Sequence, residues 1–217
     1  MELLDAMQTM NACRYYKPDP VPDALLAKVL NAARWAATGS NKQPVSLIAV
    51  RDAAKRRALH DLYQPVWDMA MQKYSSGEFR HGFTPAFLAH VDHFARHFAD
   101  IPVLVVVCVE WRELSAIDAN LGRTVLTPGS SIYPAVQNLM LAARNEGLGT
   151  TLTTLLAIAE PQIKTLLDIP EHIATAAVIA LGWPAKPFPA RLKRRPLADM
   201  AYLDRYGSPL PGAGEFV

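Results

Sequence analysis

The sequence predicts a single domain of mixed α and β class, and three observations predict it. Half of its 217 residues are hydrophobic and only 19% are charged, which supplies a sizeable core and excludes a disordered chain. Stripes of helical period interleave along the chain with short β-branched runs, instead of forming separate blocks. No internal repeat is visible, and the length suits one domain or two very small ones.

The elements follow in order. After a short amphipathic opening, Pro18, Pro20 and Pro22 stand at alternate positions, holding the backbone extended and forbidding a helix. A helix starts at Pro22 and Asp23 and runs to about Ala37, with Leu25, Leu26, Val29, Leu30 and Ala33 on one stripe. Thr38-Gly39-Ser40-Asn41 breaks it. Val45 to Val50 reads as a short strand, and Asp52 to about Tyr74 as a helix with basic residues on its outer face. Residues 75–85, with two glycines, read as a loop. The next helical piece carries His90, His93 and His97 and ends before Ile101 to Glu110, a buried strand.

Gly129-Ser130-Ser131 precedes a helix whose Ile132, Val136, Leu139, Met140 and Ala143 share one face. Pro134 is tolerable in its first turn, and Gly147 suits its end. Gly149 to Leu156 is a threonine-rich strand, Pro161 to Leu167 a short helix, and Ile173 to Trp183 another buried strand. The tail from Pro184 is rich in proline and basic residues, and residues 208–217 read as an exposed arm.

Composition narrows the function classes. A net charge of +2 argues against a nucleic-acid protein, whose affinity rests on many phosphate neutralisations. Cys13 and Cys108 lie far apart without metal-type spacing, so a reducing, cytoplasmic setting is expected. The opening residues carry acids where a secretory signal carries bases, and the longest apolar run is about half a membrane span, so no membrane association is expected.

Several motifs fail on inspection. Gly147 and Gly149 suggest a dinucleotide fingerprint, but Leu152 takes the third glycine position and the pair follows a helix instead of preceding one. A helix stop with a tight turn fits better. His90, His93 and His97 fall on one helical stripe, which suits a solvated or boundary face more than a metal site. No Gly-x-Ser-x-Gly elbow and no Walker-type loop is present.

Two polar signals remain. Residues 38–44, Thr-Gly-Ser-Asn-Lys-Gln-Pro, offer hydroxyls, amides and backbone N–H groups that suit the edge of a polar heterocycle, although an ordinary loop has the same composition. Lys186, Arg191, Lys193, Arg194 and Arg195 place five cations within ten residues. That is either an anion grip or a solvated basic arm.

Taken together these residues resemble the FMN-dependent nitroreductase family, from about Met10 to Gly207. The resemblance rests on the segment from Arg14 to Pro22, the loop from Ala33 to Pro44, the segment Ala135-Val136-Gln137-Asn138-Leu139 through Gly147-Leu148-Gly149-Thr150, and Lys193 to Leu197 with Asp204 to Gly207. It implies an α+β nitroreductase-like fold, a central and mainly antiparallel sheet flanked by helices, in one FMN-binding domain over residues 1–217. It also implies a homodimer with FMN in two interface clefts, and ping-pong hydride transfer from NADH or NADPH through flavin N5 to an aromatic acceptor such as a nitroaromatic or quinone. The alternative is a flavin-binding or flavin-handling protein of the same fold with another or no nicotinamide-linked activity, such as flavin breakdown, dehalogenation or ene reduction.

By the same resemblance Arg14, Lys193 and Arg195 would grip the FMN phosphate. Thr38, Ser40, Asn41 and Gln43 would meet the ribityl chain and flavin ring, partly from the opposite subunit. Thr153, Thr154 and Leu155 would present backbone near N5, Ser131 and Pro134 would line the cleft, and Lys42 or Lys193 would stabilise the reduced flavin. Three positions depart from the family pattern: Asn11 replaces a phosphate cation, Val45 a tryptophan and Ala37 a proline.

Overall fold

The valine-rich strand β2 (Val103–Glu110) forms the spine of the computed structural model, which describes residues 1–76 and 83–216. It pairs on one side with β1 (Val45–Val50) and on the other with β4 (Ile173–Gly182), and β3 (Gly149–Thr153) closes the far edge. The order is β1-β2-β4-β3, and every pairing is antiparallel. The register of β2 against β4 shifts between Val107, opposite Ala177, and Cys108, opposite Thr175.

Side chains alternate across a sheet, so a strand buried on both faces must be apolar at every position. β2 meets that requirement from Val103 to Val109. Val103, Val105, Val107 and Val109, with Ile179 and Leu181, face a layer made by α2 (Asp23–Ala33) and α5 (Tyr133–Asn145). Leu104, Val106 and Cys108, with Val178 and Ala180, face α3 (Ala53–Ser75), α4 (Pro85–Arg96) and α6 (Glu160–Leu167). A seven-residue helix, α1 (Leu3–Thr9), precedes these layers. Each fully buried aliphatic here, such as Leu139, Ile163 or Ile179, contributes about 1.5–3 kcal/mol relative to exposure.

Sequence expectations and structure part by three residues or more at two element ends. Helix α2 stops at Ala33, four residues before the expected Ala37. Its apolar stripe ends there, and Trp35, 73% exposed, finds no groove. The Trp35 and Ala36 N–H groups tighten onto carbonyls three residues back, and Thr38 is already extended. Strand β3 ends at Thr153 and not at Leu156. Residues 155–159 form a 3₁₀ turn that drops Leu156 into the core.

Two helix starts, those of α3 and α4, carry side-chain caps. Asp52 accepts the Lys55 N–H at 2.8 Å, and Thr84 accepts that of Phe87 at 3.2 Å. Most of the expected loop over 75–85, with both its glycines, lies outside the described residues. Residues 208–216 are largely exposed yet anchored. Leu197 N–H bonds the Phe216 carbonyl at 3.0 Å, Tyr202 bridges Pro209, and Ala213 is buried. No helix among the described residues is long and apolar enough to cross a membrane.

Candidate functional site

The proline-held segment after α1 does not wander over the surface; it extends the sheet. Ala12 bridges Thr150 in parallel, the Cys13 N–H donates to the Thr150 carbonyl at 2.9 Å, and Thr151 Oγ1 donates to the Cys13 carbonyl. Further along, the Lys17 N–H bonds the Trp183 carbonyl at 2.8 Å, and the Ala185 N–H that of Tyr15 at 2.9 Å. Gly149 permits this approach: a Cβ there would lie 2.6 Å from Cys13 Sγ. The helix-stop reading of this turn also holds, because Gly147 sits at φ +80°.

Arg14 is thereby fixed between two cavities. One, of about 240 Å³, is lined by Asn11, Arg14, Tyr15, His90, Lys186 and Phe188 among others. The second, of about 260 Å³, lies against Arg14, Tyr16, His93, His97 and Asp100. The Arg14 guanidinium stands 5.3 Å from the Phe87 ring centre, and its buried Nε has no hydrogen-bond partner among the described residues. Burial lowers its pKa, which marks a cation short of compensation.

The expected N5-side turn lies by α3. Thr153 Oγ1 donates to Tyr63 Oη at 3.4 Å, and the Leu155 N–H reaches Thr153 Oγ1 at the same distance; Thr154 is exposed. Burial raises the Tyr63 pKa, and the Arg14 charge opposes that rise, so the turn and Arg14 act on one phenol.

The loop over 38–44 is a separate feature. Ser40, Asn41 and Gln43 all take positive φ, between 51° and 53°, a region that residues with side chains enter at a cost. The Gln43 N–H bonds Thr38 Oγ1 and the Gly39 N–H bonds Ser131 Oγ, each at 3.0 Å, which holds the strained loop in place. Thr38 and Gln43 border a cavity of about 280 Å³ with Val45 and Ala135, and Pro134 is exposed. Lys42 is engaged by Glu113 at 2.6 Å.

Lys193 and Arg195 occupy a third place. Arg195 lines a cavity of about 260 Å³ against Met7 and Gln8 of α1, and Lys193 borders an open depression beside it. The Leu192 N–H bonds the Gln8 carbonyl at 2.7 Å, tying the basic stretch to α1. Within one protomer Arg14 therefore lines different cavities from Lys193 and Arg195. The loop over 38–44 borders yet another.

His90, His93 and His97 form no metal cluster with other ligands among the described residues. His90 Nδ1 is hydrogen-bonded to Tyr15 Oη at 2.6 Å, His93 stacks on Tyr15 at 4.3 Å, and His97 stacks on His93 at 4.1 Å. The stripe is a boundary face that clasps the Arg14 segment. Sequence reasoning did not single out Tyr15, Tyr63 or Phe188 as site residues. An isolated aromatic in a helix or a proline-rich tail carries no periodic signal, so only the fold could place them.

The family model that matches this sequence is described as the nitroreductase family and spans residues 11–183. The chain belongs to the nitroreductase family. Among similar proteins, a Thermus thermophilus protein named NADH dehydrogenase is 26% identical over 182 residues, covering 80% of this chain and 82% of its own. A Rhodospirillum rubrum 5,6-dimethylbenzimidazole synthase is 28% identical over 191 residues, covering 86% and 84%. A nitroreductase with bound FMN from Desulfitobacterium hafniense shares the fold at a TM-score of 0.66 and 17% identity, over 89% of this chain and 95% of that one. Family membership accounts for the antiparallel sheet with helical layers on both faces.

Proposed function

We infer that this nitroreductase-family chain is an FMN-dependent oxidoreductase that takes electrons from NADH or NADPH and reduces small aromatic acceptors, nitroaromatics and quinones among them. The observation that carries the reading is Arg14, a cation fixed on a sheet edge with a buried, unpartnered Nε at the wall of two cavities. Such a group suits an anionic or carbonyl-rich ligand, since a hydrogen bond to a charged donor is worth about 1.5–3 kcal/mol.

The chain offers cations suited to the FMN phosphate at two places, Arg14 at its own cavities and Lys193 with Arg195 beside α1. Lys193 and Arg195 make no ion pair among the described residues, as expected of side chains reserved for a phosphate. The backbone around Thr153, Thr154 and Leu155 offers a rigid wall beside Tyr63. The chemistry supplied by bound FMN is two-electron exchange at N5 between a nicotinamide and an acceptor. The chain's task would be to hold the phosphate through Arg14, position the ring, balance its negative charge through Lys42 or Lys193 as the resemblance implies, and limit access.

The reading includes a homodimer in which Thr38, Ser40, Asn41 and Gln43 serve the cleft of the second copy. Two facts support it: the loop is strained without lying beside Arg14's cavities, and Leu3, Leu4, Trp111, Leu121, Leu126 and Leu152 are exposed apolar side chains. Sedimentation as a monomer at micromolar concentration would reject it.

Asn11 in the Arg14 cavity, where the family pattern has a cation, favours a second reading in which flavin is handled as a substrate. Reconstitution with FMN separates the two. Anaerobic bleaching of a yellow protein by NADH or NADPH supports the oxidoreductase. A yellow protein that does not bleach, yet consumes flavin in air when the flavin is supplied already reduced, supports the second reading. A protein that takes up no flavin rejects both.

A further inference from the structure

The cavity of about 240 Å³ beside Arg14 has an unusual charge inventory. Its walls include Arg14, Lys186, His90, Asn11 and the Tyr15 hydroxyl, and among the described residues no carboxylate lines it. Lys186 Nζ lies 3.4 Å from the centre of the Tyr15 ring and makes no ion pair among those residues. Against Phe188, another lining residue, the Arg144 guanidinium sits 3.9 Å from the ring centre, bonded through Nε to Thr9 Oγ1 at 2.9 Å, and burial lowers its pKa.

Like charges gathered without a counter-ion cost free energy unless an anion joins them. Two exposed cations could turn to solvent instead. Arg14 is not free to do so, because its segment is pinned to the sheet edge and its Nε is buried without a partner among the described residues, whereas Lys186, itself exposed, is held toward the cavity by its seat on Tyr15. Tyr15 is in turn held by His90 at 2.6 Å.

We propose that Lys186, with Arg14 and the Tyr15–His90 pair, forms an anion subsite for a phosphate or carboxylate group, Lys186 supplying the positive charge that Asn11 lacks. The proposal rests on the flavin reading for the identity of its ligand but not for its existence. Lys186 lies outside the family match, which ends at residue 183, and it reaches the cavity only because the Ala185 N–H pairs with the Tyr15 carbonyl. Two sources would present the same chemistry: the phosphate of FMN, or a carboxylate on the aromatic acceptor.

Flavin fluorescence titrations of the full-length protein, stripped of flavin, compare FMN with riboflavin, which lacks the phosphate. If the phosphate is the anion, Lys186→Gln weakens FMN binding by roughly 10- to 100-fold and leaves riboflavin unchanged, and Lys186→Arg restores it. If an acceptor carboxylate is the anion, both flavins bind the variant as they bind wild type. The preference in kcat/KM for para-nitrobenzoate over nitrobenzene then falls by roughly tenfold or more. No change in either comparison overturns the proposal.

A wild-type protein that binds neither flavin rejects the flavin reading, and inorganic phosphate then decides about the subsite. A phosphate-dependent rise in melting temperature that is lost in Lys186→Gln sustains it. Absence of such a rise overturns it.

Discussion

Replacing Gly149 with alanine tests how the sheet edge holds Arg14. The new Cβ would lie 2.6 Å from Cys13 Sγ and 2.7 Å from Cys13 Cβ, so the gap must open by about 0.8 Å to reach the 3.4 Å of ordinary contact. The segment cannot simply back away. Its Cys13 N–H is bonded to Thr150 at 2.9 Å, and its carbonyl to Thr151 Oγ1. Gly149 does not occupy the left-handed region, so the penalty is steric and not conformational.

Overpacking of this kind costs about 1–3 kcal/mol. For a domain of this size each kcal/mol lowers the melting temperature by roughly 2–4 °C, so thermal denaturation of Gly149→Ala should shift down by about 2–12 °C. Partners for the double mutant follow from the two distances. Cys13→Ala leaves the 2.7 Å Cβ contact and should rescue only in part, whereas Cys13→Gly removes both contacts at an entropic cost of about 0.5–1 kcal/mol. A Gly149→Ala protein within about 0.5 kcal/mol of wild type, or equal rescue by both partners, would refute the packing argument.

Four further outcomes are expected. Arg195→Ala should weaken FMN binding by about 1–3 kcal/mol in a flavin titration, and an unchanged dissociation constant would remove Arg195 from the phosphate grip. Asp118 is buried and accepts from Thr127 Oγ1 at 2.6 Å, the Leu126 N–H at 2.8 Å and Arg123 at 2.7 Å; these bonds, Thr127 first, hold its carboxyl far below the usual range. Its contribution to stability is therefore present above the ordinary carboxylate pKa near 4 and lost as pH falls below it. Asp118→Asn should lower the melting temperature at pH 7 and weaken its dependence on acid, as checked by melts across pH 3 to 7.

Burial, aided by the Glu160 charge, pushes the Cys108 thiol up to about 11. Burial also raises that of Cys13. Both thiols should react slowly with Ellman's reagent at pH 8 in the native protein and promptly in denaturant; fast native reaction of Cys108 would contradict its placement. Arg56 donates to the Ala99 and Ile101 carbonyls at 2.6 Å each. Arg56→Ala should therefore destabilise by about 1–3 kcal/mol in urea unfolding.

Much of the fold was legible because its signals are local. The strand Val45–Val50 has the expected bounds, since a β-branched run flanked by Pro44 and Asp52 leaves little choice. The ends of α2 and β3 were less legible. Each depended on whether a side chain, Trp35 or Leu156, would find a buried surface that other parts of the chain supply. Of the expected site residues, Thr38 and Gln43 do share a cavity, because they belong to one turn. Arg14 lies apart from Lys193 and Arg195, because composition reports charge without reporting where it collects.

The sequence by itself determined the interleaved α and β class, the polar loop after the first long helix, and the family resemblance, each carried by local runs of residues. Only the tertiary structure decided which cations share a cavity. Lys186 meets Arg14 because one sheet edge aligns segments 172 residues apart, and His90 reaches Tyr15 because α4 packs across that edge. The physical reason is range. Propensity and hydrophobic period act over one or two turns of chain, whereas a binding site is made of charges and hydrogen bonds that are neighbours only after the core has closed.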